Sequence, residues 1–425
     1  MNRQESVIKA LRNGTVPLEG TELIAVGIED ELKEIKSQLT NVSQGKSDFK
    51  MIIGDYGSGK TFFGASVRQV AFQMNFIVSN IIISQEAPLN KFEEVYKKII
   101  EGMRKSDNLK VPALPLLLEE WLLGIEETIC SINEIDPIDD EEIFIEKLKE
   151  RLELDLSEVG ELSSNFANAI RCYYEAKSSG NNILAQGVLG WLKGEKVSLT
   201  IKKEMNVAIN LDRENSFSFI KAVNIMIKKS GYKGLVIIMD EVETVQKYLK
   251  GSSREAAYEN LRYFIDETDR ISYPNCYFLF TGTPELIESD RGIKSLEPLY
   301  QRLKVEKDSK FVNLRQPIIY LNNFDNNRLY DVSFKVMNLH EQIYNWNIRE
   351  KITEEFISKL ILDKTTAFGG EIEITPRSYL RIFVDILDKS QIYKDYYPED
   401  NFEFNESIYN EVLNTEKEGG VIIEF

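Results

Sequence analysis

The sequence predicts a three-layer αβα sandwich on a parallel sheet, interrupted by a large helical insertion and followed by a C-terminal helical lid. Three stretches predict it. "GDYGSGKT" (Gly54 to Thr61) follows the apolar run Met51-Ile52-Ile53 and precedes a helical pattern. "GLVIIMDEVE" (Gly234 to Glu243) reads as a buried strand ending in two carboxylates, and "CYFLFTGTPEL" (Cys276 to Leu286) as a third strand leaving through a Gly-Thr-Pro turn.

The first stretch matches G-x-x-x-x-G-K-[ST] with Gly54, Gly59, Lys60 and Thr61 at the fixed positions. Such a loop turns backbone N–H groups inward around phosphate oxygens, and glycine allows the required dihedrals without a Cβ clash. Lys60 would reach the β- and γ-phosphates as a point charge, and the Thr61 hydroxyl would ligate Mg²⁺. Tyr56, Gly57 and Ser58 complete the loop, and Phe62 follows on the helix "TFFGASVRQVAFQM", whose N-terminus adds unpaired N–H groups and a positive dipole end. ATP with Mg²⁺ is the expected cofactor.

A phosphate loop needs a partner strand carrying an acid for the metal. Asp240, at the end of "LVIIMD", would hold Mg²⁺ through water, and Glu241 would orient and polarise the attacking water. On the third strand Thr283 is the candidate for sensing the γ-phosphate, with Thr281 as its substitute; a plain exit turn accounts for the Gly-Thr-Pro equally well. Arg302, in "LEPLYQRLKVEK", falls in a short helix after that strand. Arg377 follows Pro376 at the first turn of a late helix, from which it would lean over the γ-phosphate. A surface arginine is the alternative for each.

In this order the pieces resemble the AAA+ ATPases. "LIAVGIEDELKEI" (Leu23 to Ile35) is similar to the opening motif of origin-recognition and related initiator ATPases, which implies that Val26 and Gly27 pack beside the adenine; Ile28 stands where that motif carries an arginine. "TGTPEL" resembles transposition-regulator ATPases. Relatives in this superclass also imply that Arg302 is presented to a neighbouring subunit's nucleotide. Over nearly the whole chain, "LRNGTVPLEGTELIAVG", "GDYGSGKTFF", "GWLKGEKV", "GYKGLVIIMDEVE", "GTPEL" and "TPRSYLR" together resemble the ATP-binding proteins of BREX-type phage-defence systems. That resemblance implies a cytoplasmic AAA+ ATPase acting with other defence components, often a large helicase.

The separation from Lys60 to Asp240 is far longer than a minimal P-loop domain needs. The expected organisation is therefore a first part of the core over 1–105, a helical insertion over 106–230, a second part of the core over 231–325, a helical lid over 326–390 and an acidic tail over 391–425. "NFIVSNIIIS" reads as a strand, the stretch near Leu89–Arg104 as a helix, and "PIIYLNNF" as the strand closing the sheet. Asp139, Asp140, Glu141 and Glu142 invite a metal-site reading, but Pro137 just upstream makes them the acidic first turn of a helix. Lys193, Lys196, Lys202 and Lys203 form either a solvated face or a contact for a partner or nucleic acid.

Composition narrows the function classes. Lys plus Arg number 52 against 69 Asp plus Glu, a net charge of −17, which argues against a surface built wholly for nucleic acid; a local basic loop or a pore shared among subunits stays open. No apolar run reaches the roughly 18 residues of a membrane span, and "MNRQESVIKALRNG" lacks the apolar core of a signal peptide. Cys130, Cys172 and Cys276 lie far apart among apolar neighbours, as buried thiols in a reducing compartment would, and the lone His340 cannot build a metal cluster. The expectation is a cytoplasmic, homo-oligomeric ATPase serving a helicase or DNA-remodelling partner in phage defence, with DNA met in the assembled state. A slow nucleotide-gated assembly switch and a scaffold with structural ATP are its rivals.

Overall fold

The computed structural model describes residues 2–133, 136, 139–305, 311–365 and 375–404. Six strands, β1 (Asp48–Ile53), β2 (Ile77–Ile82), β3 (Met103–Arg104), β4 (Leu235–Asp240), β5 (Cys276–Gly282) and β6 (Ile318–Tyr320), hydrogen-bond in the order β3-β2-β4-β5-β1-β6. β2, β4 and β5 pair parallel, with Ile82 opposite Asp240 and Met239 opposite Phe280. Every residue of β4 and β5 is buried, which is why these strands read as unbroken apolar runs. β3 pairs antiparallel with β2 at one edge; at two residues it is too short to leave a periodic signal, and the sequence reading ran a helix through it. Lys50, fully buried in β1, is tolerated because its ammonium donates to the carbonyls of Leu314 (2.9 Å) and Gln316 (2.8 Å), just ahead of β6.

The α-helices of the described residues are α1 (Arg3–Arg12), α2 (Glu29–Ser43), α3 (Lys60–Gln73), α4 (Phe92–Gly102), α5 (Ala113–Asn133), α6 (Glu141–Leu162), α7 (Ser164–Ser178), α8 (Asn182–Leu192), α9 (Leu199–Glu204), α10 (Arg213–Lys229), α11 (Thr244–Tyr248), α12 (Gly251–Asp269), α13 (Pro284–Glu288), α14 (Glu297–Leu303), α15 (Asn326–Tyr344), α16 (Glu354–Thr365), α17 (Pro376–Ile392) and α18 (Pro398–Asn401). The described part of 106–230 is helical. Asp140 is the N-cap residue of α6, and Glu141 and Glu142 occupy its first turn, where carboxylates complement the dipole. Pro137 lies outside the described residues. No described helix is long and apolar enough to cross a membrane.

The chain divides into two compact units. The first holds residues 1–34, 52–69 and those from 319 on; the second holds 35–51 and 70–318. In the second unit the helices between residues 106 and 230 share a core with α4, beside the sheet. The Phe219 ring of α10 meets Tyr96 of α4, Phe166 of α7 and Trp191 of α8 at 5.9, 5.1 and 5.3 Å. The Tyr96 hydroxyl donates to the Leu192 carbonyl at 2.6 Å, and Trp121 Nε1 donates to the buried Asp155 carboxylate at 3.1 Å. All three cysteines are free. Burial pushes the Cys172 thiol up to about 11 and Cys276 higher still, so both remain protonated thiols.

The core of the first unit joins Val7, Ile8 and Leu11 of α1 to Val336 of α15, Phe356 of α16 and Phe383 of α17. Phe402 and Phe404 pack on Phe356, so residues up to 404 belong to this core. The rest of the tail expected over 391–425 lies outside the described residues. One polar cluster ties α1, α15 and α17 together. Arg12 binds Asp388 with Nε (2.7 Å) and Nη2 (2.8 Å), a paired geometry stronger than a single contact. Trp346 Nε1 donates to His340 Nδ1 at 3.0 Å, which leaves the ring proton on Nε2, and Nε2 donates to Asp388 Oδ1 at 3.1 Å.

Burial pushes the Asp388 carboxyl up, but the bonds from Arg12 and His340 outweigh burial and hold it down to about 2. The stability this contributes is present above the ordinary value of 3.8 and is lost as pH falls through about 2. Asp388→Ala should therefore destabilise the folded chain by roughly 1–3 kcal/mol at neutral pH. Urea denaturation should show the gap to wild type closing between pH 4 and pH 2, and a gap independent of pH would refute the assignment.

Candidate nucleotide-binding site

In the first unit the loop from Gly54 to Lys60 leaves β1 and enters α3. Gly57 and Gly59 take φ of +87° and +93°, dihedrals that a side chain would strain. Ser58 N–H donates to Asp55 O (3.2 Å), and Phe63 N–H donates to Gly59 O (2.8 Å), which starts the helix. A Cβ on Gly54 would lie 2.3 Å from Ser58 Oγ and 3.2 Å from Leu321 O, so no larger residue fits there. Ser58 Oγ is buried and has no hydrogen-bond partner. The Lys60 ammonium donates to the carbonyls of Gly54 (2.7 Å) and Asp55 (2.9 Å) and lies 5.4 Å over the ring of the exposed Tyr56. Thr61 is exposed in the first turn of α3, with Phe62 beside it half-buried. A cradle that a Cβ would fill, an orphaned hydroxyl and an ammonium resting on loop carbonyls all suit a triphosphate.

The C-terminal part of the same unit closes on this loop. Thr375 caps α17 by accepting from Ser378 N–H (3.3 Å), and its methyl would lie 3.1 Å from a Cβ on Gly57. This puts the start of α17, with the exposed Arg377 in its first turn, at the loop. Ahead of α15, Asn323 donates to the Asp55 carboxylate (3.2 Å), and the Phe324 ring would lie 3.8 Å from a Cβ on Gly59. Val26 is buried in this unit's core. Gly27 (φ +66°) is covered by Arg328 of α15, whose Nε would lie 2.7 Å from a Cβ there.

In the second unit the carboxyl ends of β4 and β5 bring Asp240, Glu241 and Thr281 together. The Thr281 hydroxyl donates to Asp240 Oδ1 and accepts from Glu241 N–H at 3.2 Å, and the same N–H also reaches Asp240 Oδ1 at 3.1 Å. These bonds hold Glu241 in the left-handed region (φ +60°) with its side chain exposed. Thr283 is the N-cap residue of α13; it is buried, and its hydroxyl has no partner. The substitute, Thr281, is thus the threonine that touches Asp240, whereas Thr283 keeps an uncommitted hydroxyl. Arg302, on α14, is ion-paired with Asp266 and lies 3.8 Å from Asp269, both on α12 of its own chain.

Asn323, Phe324, Arg328 and Thr375 escaped the sequence reading. Only Thr375 carries a local signal, because a threonine directly ahead of a proline and an apolar-periodic run marks a helix start. The other three meet the loop or Gly27 through chain fold-back, which leaves no local pattern.

A mostly parallel sheet with a phosphate loop after one strand and an Asp-Glu pair after another is compatible with the P-loop α/β class. Within it, this chain belongs to the BREX system ATP-binding family BrxC/D, whose family model matches residues 1–406. Membership makes it an ATP-binding protein with a role in a phage-defence system. A comparison with curated proteins found no match.

Gly57→Ala tests the closure on the loop. The left-handed dihedral disfavours a side chain by roughly 1–2 kcal/mol, and the added methyl presses on Thr375. Urea denaturation should show a loss of that size, and an unchanged midpoint would mean that loop and Thr375 are not packed together.

Proposed function

We propose that the chain is an AAA+ ATPase that hydrolyses ATP with Mg²⁺ and couples turnover to assembly or remodelling with a helicase or DNA-processing partner. The observation that carries hydrolysis is Glu241. It follows Asp240 at the end of β4 in a strained conformation, with its N–H tied to Asp240 and Thr281 and its carboxylate left exposed. A group so placed suits a general base. Lys60 would exchange its loop carbonyls for phosphate oxygens, and Ser58 and the loop N–H groups would donate beside it. Thr61 and Asp240 are oxygen donors of the kind Mg²⁺ takes, and would hold it. The bound metal would neutralise charge on the β- and γ-oxygens. Thr283, whose hydroxyl is uncommitted, would sense the γ-phosphate or its water, while Thr281 keeps Asp240 oriented. Arg377 would reach the γ-phosphate from a lid formed by α15–α17.

The reading includes a homo-oligomer in which Arg302 completes a neighbour's site. The slow-switch alternative draws on the same residue, since Arg302 is engaged by Asp266 and Asp269 of its own chain and would have to be released. A steady-state ATPase assay with and without DNA separates the two. Turnover raised by DNA supports the motor; slow, DNA-indifferent turnover with ATP-dependent assemblies supports the switch.

Lys60→Ala should fold and lose ATP binding, whereas Glu241→Gln should bind ATP like wild type and hydrolyse it roughly 10²–10⁴-fold more slowly. Equal loss of binding in both would end this division of roles.

Arg302→Ala should slow turnover by roughly 10³-fold with little change in ATP affinity. Mixed with Glu241→Gln protein it should regain activity, because some interfaces then pair an intact Glu241 with an intact Arg302. Mixed oligomers without recovery would place Arg302 outside the neighbour's site.

A further inference from the structure

Arg328 is the third residue of α15, and nothing in its local sequence marks it. Its half-buried guanidinium lies against Gly27, where a Cβ would meet Nε, Cζ and Cδ at 2.7, 3.0 and 3.3 Å. Among the described residues no carboxylate lies within ion-pairing distance of the guanidinium, and its one hydrogen bond is a long one, Nη1 to Asn322 O at 3.5 Å. Glu31 senses its charge from further away: burial raises that carboxyl, and Arg328 opposes the rise. A half-buried cation with so little compensation is costly unless something else meets it. Ile28, next to Gly27, is buried and apolar, so residues 26–28 supply no cation of their own.

The surroundings set it on the wall of the phosphate loop. The segment from Leu321 to Arg328 starts at the Gly54 end of the phosphate loop, passes Asp55 through Asn323 and Gly59 through Phe324, and ends over Gly27. One side of the cradle is therefore continuous from the phosphate loop to Gly27. Lys335, two turns further along α15, donates to the Ala25 carbonyl, which fixes the helix on residues 25–27.

We propose that Arg328 is a nucleotide-contacting residue, stacking its guanidinium on the purine of the bound nucleotide beside Gly27. This rests on the reading of the loop as an ATP cradle. Guanidinium is planar, delocalised and weakly hydrated, so it prefers an aromatic face where an ammonium would prefer water or an anion. The left-handed φ of Gly27 (+66°) favours glycine by itself, and a Cβ there would also press on the guanidinium. The same contact links a bound nucleotide to α15.

Isothermal titration calorimetry with ADP and with a non-hydrolysable ATP analogue tests it on wild type, Arg328→Ala, Arg328→Lys and Lys60→Ala. Arg328→Ala should weaken both ligands by the same factor, about tenfold or more. Arg328→Lys should not restore binding, and the melting temperature of ligand-free Arg328→Ala should not fall, which excludes a merely structural role. Unchanged affinity in Arg328→Ala overturns the proposal. A loss larger for the triphosphate and repaired by lysine also overturns it, since that would be a phosphate contact. Lys60→Ala keeps the two claims apart. If it binds like wild type the cradle reading itself fails, whereas its failure to bind beside an unaffected Arg328→Ala refutes only the stacking.

Discussion

The parallel register of β4 against β5 is the constraint on which the edge carrying Asp240, Glu241 and Thr281 depends. With Met239 opposite Phe280, Asp240 and Thr281 come out side by side at the edge of strands that are otherwise buried throughout. A slip of one residue would turn the carboxylate toward the other face and bury it without its donor, at a cost of several kcal/mol. Ile83 N–H holds the Asp240 carbonyl from the other flank at 2.9 Å, so the strand end is fixed on both sides. The left-handed Glu241 follows from that fixation, because its N–H is claimed by Asp240 and Thr281 before its side chain is placed.

A second dependence runs through the first unit. The phosphate loop is short and glycine-rich, and its walls come from residues hundreds of positions later: Thr375 at Gly57, Phe324 at Gly59, Asn323 at Asp55. Those residues sit at the starts of α15 and α17, whose mutual placement rests on the apolar core shared with α1 and on the Arg12–Asp388–His340 cluster. The N-terminal helix thus supports the helices that wall the loop without touching the loop through any of these bonds.

Charge and the helices between residues 106 and 230 limit the surfaces the protein offers. With acids well in excess of bases, any nucleic-acid contact must use a local face. The lysines weighed for that role include Lys202 and Lys203 in the last turn of α9, where they complement the helix dipole. The helices between residues 106 and 230 are no loose appendage, since Phe219 packs rings from α4, α7 and α8 around itself.

The sequence by itself determined the phosphate loop, the strand ending in Asp240 and Glu241, the neighbouring strand, and the helical character of the long intervening stretch. These are local properties: a loop needs glycines at set positions, and a strand buried on both faces needs an apolar run. It left Thr281 and Thr283 as alternatives, because both stand where the strand runs out, and only the pairing with β4 shows that Thr281, the last but one residue of β5, meets Asp240. It could show neither that Arg302 is paired with Asp266 nor that Arg328 lies over Gly27. Only the tertiary structure decided those, because each contact joins elements that approach through packing, and spacing along the chain says nothing about which surfaces packing brings together.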